Sequence, residues 1–300
     1  MKRLYNFILL FASLLFGIGA SAQTVYNYTG SLQYYVVPAG VGNISIQCVG
    51  AEGGNGTTAN TGTPGKGADM YGEFTVTPGQ TLAIMVGEEG SDADHVGGGG
   101  GGSFVWDDGT SVLFIAAGGG GGGGKTDLSD LSNVDGLDAS VTEDGTNGAG
   151  MIDGAGTAGN GGTVPTCINW ASGGAGWLTD GADGSLHGCA SNSTGGSTPL
   201  TGGAGGSGGG WTSAQAPGGY GGGGGGNARC GAVGGGGGGG DSGGGAGGEI
   251  GGTGNYNAGG GGGSYNSGSA QVNVVSTATG SGQVIITELC TGLTYTVSDD

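Results

Sequence analysis

One stretch of the chain has the spacing of a phosphate cradle. Gly119 to Thr126 reads GGGGGGKT and satisfies G-x-x-x-x-G-K-[ST]. In that motif backbone N–H groups surround phosphates, the lysine reaches the outer ones and the hydroxyl holds magnesium. The chemistry requires a helix directly after the loop, with its N-terminus receiving the anion. Here the loop runs into DLSDLSNVDGLDASVTEDG, which is acidic and broken by glycine, so Asp127, Asp130, Asp135 and Asp138 would face the phosphates. Seven consecutive glycines, residues 118–124, meet the spacing trivially. No nucleotide is expected as a partner.

Other residues invite chemistry more weakly. Asp92, Asp94 and His95 in SDADHV could ligate a metal, and the acidic stretch from Asp127 to Asp144 could offer oxygens to calcium. No calcium-loop spacing is met, so solvated loops are the expectation, with no metal and no cofactor. His95 and His187 are the only histidines, and neither stands in a G-x-S-x-G elbow or beside a nucleophile, so no enzyme is expected. The aromatics are more informative. Trp170, Trp177, Trp211, Tyr220, Tyr256 and Tyr265 lie in or beside a glycine-dominated region with little core to bury them. Trp170, Trp177, Trp211 and Tyr220 are the candidate binding residues, able to stack on sugars or anchor a protein. The competing reading is that they pack on the flanks of the glycine region.

The positioning elements are β-strands at both ends of the chain. VGNISIQCVG alternates, with Ile44, Ile46 and Cys48 on one face and Ser45 and Gln47 on the other. YGEFTVTPGQTLAIMVGEEG reads as a first hairpin, two strands joined at Thr77-Pro78-Gly79-Gln80. GSFVWDDGTSVLFIAAG is a second, turning at Asp107-Asp108-Gly109. SAQVNVVSTATGSGQVIITELC returns to β, rich in branched residues.

Between lie residues 118–268, where glycine dominates; it supplies 87 of 300 residues overall. Collagen is excluded, because no G-X-Y register persists and only six prolines are present. Disorder is the default for such a composition, but the side chains are spaced. Ala204 and Ser207, Ala246 and Glu249, and Ile250 and Thr253 each stand three apart. Three is the period of an extended left-handed helix of the polyproline II type, here built of glycine. It has no internal hydrogen bonds, so each N–H and C=O must find a partner on a neighbouring helix. A bundle of such helices needs clamps, which a β-module and disulfides can supply. Five cysteines, Cys48, Cys167, Cys189, Cys230 and Cys290, suggest disulfides with one thiol left over.

The first residues, MKRLYNFILLFASLLFGIGASA, read as a secretory signal peptide over 1–22: a basic start, an apolar core and a small-x-small cleavage site. Its removal takes Lys2 and Arg3 away and moves the net charge from −18 to −20. Such a chain repels nucleic acid and anionic lipid. No nucleic acid and no membrane insertion are expected. Residues 23–300 form one composite domain, with a β-module over 24–117 and 269–298 and a polyglycine II bundle over 118–268.

The ordered series VVPAGVGNISIQCVGAEGG, GKGADMYGEFTVTPGQTLAIMVGEEG, GGGGGGSFVW…SVLFIAAGGGGG, GGYGGGGGGNARCGAVGGGGGGG and GSGQVIITELC resembles the extracellular glycine-rich domain of anaplastic lymphoma kinase and leukocyte tyrosine kinase. The likeness runs from Val25 to Cys290. It implies a tumour-necrosis-factor-like antiparallel β-sandwich carrying an inserted bundle of polyglycine II helices. It also implies a Cys230–Cys290 disulfide, a local Cys167–Cys189 bridge and a buried Cys48 thiol. In the receptors this domain binds a polypeptide ligand. The architecture carries over and the signalling does not, for the sequence holds no kinase domain. The reading is a secreted or surface-held binding or adhesion module for a protein or carbohydrate. A structural coat or matrix protein is the alternative, and ice binding a weaker one.

Overall fold

In a computed structural model the described residues are 22–58, 61–126, 133–165, 171–184, 192–210, 215–229, 232–248 and 255–289. Ten strands build a two-sheet sandwich. They are β1 (Gln23–Asn27), β2 (Gln33–Val36), β3 (Asn43–Val49), β4 (Ala68–Thr75), β5 (Thr81–Met85), β6 (Ser103–Asp107), β7 (Leu113–Ala117), β8 (Tyr265–Asn266), β9 (Ser269–Val275) and β10 (Gln283–Glu288). One sheet has the order β1-β10-β3-β4-β9 and the other β8-β7-β6-β5-β2, and every pairing is antiparallel. The chain is thus mainly β.

The alternation in β3 sets the inner face of the first sheet. Ile44, Ile46 and Cys48 are fully buried against Leu82, Ile84, Val105 and Ile115 of the second sheet, with Met70, Val284 and Ile286 beside them. Each such side chain contributes about 1.5–3 kcal/mol. Burial pushes the Cys48 thiol far above its usual range, which leaves it free and inert. Cys167, Cys189, Cys230 and Cys290 lie outside the described residues.

The second sheet is covered on both faces at its central strands, while Tyr34 and Val36 of the edge strand β2 are exposed. Phe104, Val105 and Trp106 are consecutive in β6 and all buried. Val105 joins the inner core, whereas Phe104 and Trp106 join a second cluster with Ala83, Met85, Leu113 and Ala116. The 103–117 hairpin forms as its sequence suggests, with β6 paired to β7. The first expected hairpin does not. Gln80 N donates to Thr77 O at 2.9 Å and Gly79 has φ +83°, so the turn is there. But β4 pairs with β3 and β9, and β5 with β2 and β6, so the turn carries the chain from one sheet to the other. A Pro-Gly turn fixes the local reversal and leaves open which edge the next strand joins.

The glycine segments form an array with a three-residue repeat. Along residues 118–124 the donated hydrogen bonds rotate among three neighbours. Gly119 and Gly122 donate to Gly239 and Gly236, Gly120 and Gly123 to Ala51 and Gly54, and Gly121 and Gly124 to Leu137 and Val134, all at 2.7–2.9 Å. The accepted bonds rotate likewise among three others. Gly118, Gly121 and Gly124 accept from Ala68, Gly65 and Gly62, Gly119 and Gly122 from Gly262 and Gly259, and Gly120 and Gly123 from Gly100 and Gly97. One segment therefore has six hydrogen-bonded neighbours, and it has no bonds within itself. Residues 97–102 repeat the pattern, donating in turn to Gly123 and Gly120, to Ser91 and Glu88, and to Gly224 and Gly221.

This packing explains the composition. A Cβ at Gly99, Gly119, Gly122, Gly236 or Gly238 would stand less than 3.0 Å from a backbone oxygen of the next segment. The hydrogen on that vector points at the carbonyl, a Cα–H···O contact worth about 0.5–1 kcal/mol. The array also recruits segments from the strand-rich first third: 97–102, itself a run of six glycines, and 50–54 and 62–68, which glycine density alone does not mark.

At the array's periphery a segment lacks an outer neighbour, and aspartates stand in. Asp135 accepts from Thr63 N and Asp138 from Lys66 N, both at 2.7 Å; Asp183 accepts from Gly195 N at 2.9 Å and Asp180 from Thr198 N at 2.7 Å. The carboxylates and their donors are each three residues apart, the repeat of the array. Part of the chain's negative charge is backbone capping.

Candidate functional site

The aromatic candidates divide. Trp170 and Trp211 lie outside the described residues. Trp177 is half-buried, its ring 5.6 Å from Trp106 in an edge-on pair and 6.1 Å from Phe104. Its backbone N–H donates to Asp241 O at 2.7 Å. Trp177 thus joins the array to the outer face of the second sheet. Tyr220 packs against the same cluster, its ring 6.2 Å from Tyr28. Glu88 accepts from Tyr220 N through its side chain, and Glu88 N donates to Tyr220 O. Burial, then the hydrogen bond to Glu88, pushes the Tyr28 phenol up to about 12. Tyr265 lies on the cluster as well. The structure brings Trp177, Tyr220 and Tyr265 together on one sheet face that they help to cover.

The loop candidates are occupied locally. Asp92 accepts from Asn55 N at 2.7 Å, and His95 Nδ1 pairs with Thr58 Oγ1 at 3.0 Å. His187 lies outside the described residues. Lys125 of the phosphate-cradle pattern begins a two-residue strand, Lys125–Thr126, paired with Asn255–Tyr256. The glycines before it have their N–H groups donated to other segments, so none is free to cradle a phosphate.

The broadest open β-surface among the described residues is the outer face of the first sheet. Registers carry one row across all five strands: Val25, Ile285, Gln47, Tyr71 and Val272. The next row is Asn27, Gln283, Val49, Asp69 and Val274. Val25 is 47% exposed, Val272 57% and Val274 49%. Gln47 Nε2 donates to both oxygens of Asp69 at 3.0 Å, which fixes the amide in the centre of the face. Tyr71 Oη bonds Glu73 at 3.4 Å. Asp69 in the second row and Glu73 in a third, Gln23, Thr287, Ser45, Glu73 and Ser269, are the charged groups of these rows, and no lysine or arginine joins them.

Strand β9 is inverted relative to an ordinary amphipathic edge. Its Val272 and Val274 face outward, while Asn273 pairs with Met70 and so points to the inner side. Edge strands usually present polar or charged groups to solvent. The sequence signal was present: SAQVNVV alternates, but periodicity does not say which phase faces the core.

The chain matches no protein-family model, and a search of curated proteins finds no significant relative. Among the described residues no helix is long and apolar enough to cross a membrane.

Proposed function

We propose that this is an exported, non-enzymatic binding module that docks a protein partner on the outer face of its first sheet. The observation that carries the reading is the outward row Val25–Ile285–Gln47–Tyr71–Val272. It is apolar at both ends, with a fixed amide and a tyrosine between them, and large apolar side chains turned to solvent mark interaction surfaces. Charge selects the partner. The face holds Asp69 and Glu73 without a basic residue, in a chain with 23 acidic and 5 basic residues, so a patch rich in Lys and Arg complements it. The signal-peptide pattern of the first 22 residues supports export. The likeness to the receptor glycine-rich domain, which binds a polypeptide, supports a protein partner. The glycine array, polyglycine II in type, serves as a rigid body behind the sandwich.

The test is binding of the labelled full chain to intact cells of the source organism and its neighbours. Tyr71→Ala and Val272→Asp abolish saturable binding while thermal unfolding stays unchanged, and prior trypsin treatment of the cells removes it. Variants that bind as the parent does overturn the reading. Binding that survives trypsin and falls on glycosidase treatment assigns a glycan instead. A structural role has one observation in its favour, an array whose six-neighbour packing needs no ligand; it predicts self-association that rises with concentration.

A further inference from the structure

A cavity of about 440 Å³ opens between the edge strands of the two sheets. Strand β9 of the first sheet supplies Gln271 and Asn273, and β8 of the second supplies Asn266. Met70 belongs to its apolar lining, and the loop after residue 140 brings Glu143 and Asp144. The volume suits a small organic molecule.

The hydrogen bonds of the lining decide what that molecule must offer. Asn266 Nδ2 donates to Tyr71 O and to Asn273 Oδ1, which uses both of its protons. Gln271 Nε2 donates to the carbonyls of Asn266 and Gly268, which uses both of its own. Asn273 Nδ2 gives one proton to Gln271 Oε1. Ser264 Oγ donates to Ser140 O and accepts from Gly118 N. Nearly every donor of the lining is spent inside the protein. What remains is acceptor capacity, above all the exposed carboxylates of Glu143 and Asp144, to which no described residue donates a hydrogen bond.

A third carboxylate stands behind this wall. Asp241 N donates to Gly263 O, beside Ser264 of the cavity. Asp241 is 7% exposed. Burial, then the charges of Glu143 and Asp144, raises its pKa to about 6. A cation seated against Glu143 and Asp144 relieves the repulsion among the three carboxylates. A metal ion is not that cation, because among the described residues no three Asp, Glu, His or Cys side chains converge to hold one.

We infer that the cavity between β8 and β9 is a binding site for an organic cation, a primary ammonium or guanidinium group, held by Glu143 and Asp144 with amide and carbonyl oxygens around it. Anions are excluded by charge. Neutral polyols are disfavoured because the lining returns almost no donors. The cation has two possible sources, a free amine or the side chain of a partner's lysine. The site is separate from the outer face proposed for docking, since Asn273 and Val272 point to opposite sides of β9.

The experiment is calorimetric titration of the full chain with cadaverine, with pentanediol as the uncharged isostere and glutarate as the anionic one. Cadaverine binds at one site per chain, and the other two give no saturable heat. The double variant Glu143→Gln/Asp144→Asn weakens cadaverine at least about tenfold, equivalent to about 1.4 kcal/mol. The double variant Asp94→Asn/Asp108→Asn, with the same change of charge elsewhere, leaves it unchanged. Titration with Nα-acetyl-lysine methylamide, whose side-chain ammonium is free, separates the sources: tighter binding than cadaverine assigns a lysine side chain, and weaker binding a free amine. Equal affinity for cadaverine and pentanediol, no saturable cadaverine binding, or an equal loss in the two double variants overturns the inference.

Discussion

Replacing Gly122 with alanine should damage the fold far more than one methyl group suggests. A Cβ there falls on Gly97 O, 2.6 Å from its carbonyl carbon and 2.8 Å from Gly98 O. Carbon atoms rest about 3.5–4.0 Å apart, so the two segments must part by about 1 Å. Two hydrogen bonds join those segments, Gly97 N to Gly123 O at 3.0 Å and Gly100 N to Gly120 O at 2.8 Å. At about 4 Å neither is a hydrogen bond. Four buried backbone groups then lose their partners, at about 1–3 kcal/mol each. Against this, alanine narrows the unfolded ensemble, worth about 0.4–1 kcal/mol. The low ends of these ranges still leave a net loss of about 3 kcal/mol, a large share of a stability of about 5–15 kcal/mol. The assay is urea unfolding of the parent, Gly122→Ala and Gly42→Ala. A Cβ at Gly42 meets nothing within 4 Å, so that variant should stay within about 0.5 kcal/mol of the parent. Equal midpoints for the two variants would refute the packing argument.

The peripheral aspartates give a second expectation: Asp135→Ala and Asp138→Ala each remove a carboxylate that caps a backbone N–H and should each lose about 0.5–2 kcal/mol in urea unfolding, by analogy with helix caps. Trp177→Ala strips the ring from Phe104 and Trp106 and should cost about 2–4 kcal/mol, with proteolysis attacking the array before the sandwich strands. Asp241 sets a pH dependence of its own. Its folded pKa is raised to about 6, so the protonated form favours folding; that contribution is complete below about pH 4 and is lost as pH rises through 6. Asp241→Asn should therefore gain on the order of 2–3 kcal/mol over the parent at pH 8 and little or nothing at pH 4, read from paired unfolding curves at the two pH values.

Much of the sandwich is legible in the sequence because its side chains carry a period. ISIQC alternates, and Ile44, Ile46 and Cys48 do face the core. FVW does not alternate, and that is the mark of a strand covered on both sides, with Phe104 and Trp106 waiting for something to lie on them. The array is harder to read. Glycine has no side chain to reveal which neighbour it faces, so the six partners of residues 118–124 come only from their hydrogen bonds. Segments such as 50–54 and 62–68 look like loops between strands, since few glycines are needed where only one face is crowded. Asp135, Asp138, Asp180 and Asp183 look like solvated charge in the sequence, and their three-residue spacing acquires meaning once the N–H groups they cap are known. The outer face and the cavity escaped for a single reason: an alternating strand such as SAQVNVV reads equally well with either phase inward.

The described glycine segments are an ordered, hydrogen-bonded array and not a disordered tract. Amide hydrogen exchange resolved at Gly119 to Gly123 tests it most directly, because each of these N–H groups donates to another segment. Protection comparable to that of the core strands β3 and β6 is expected. Exchange at the rate of an unstructured glycine peptide would contradict it.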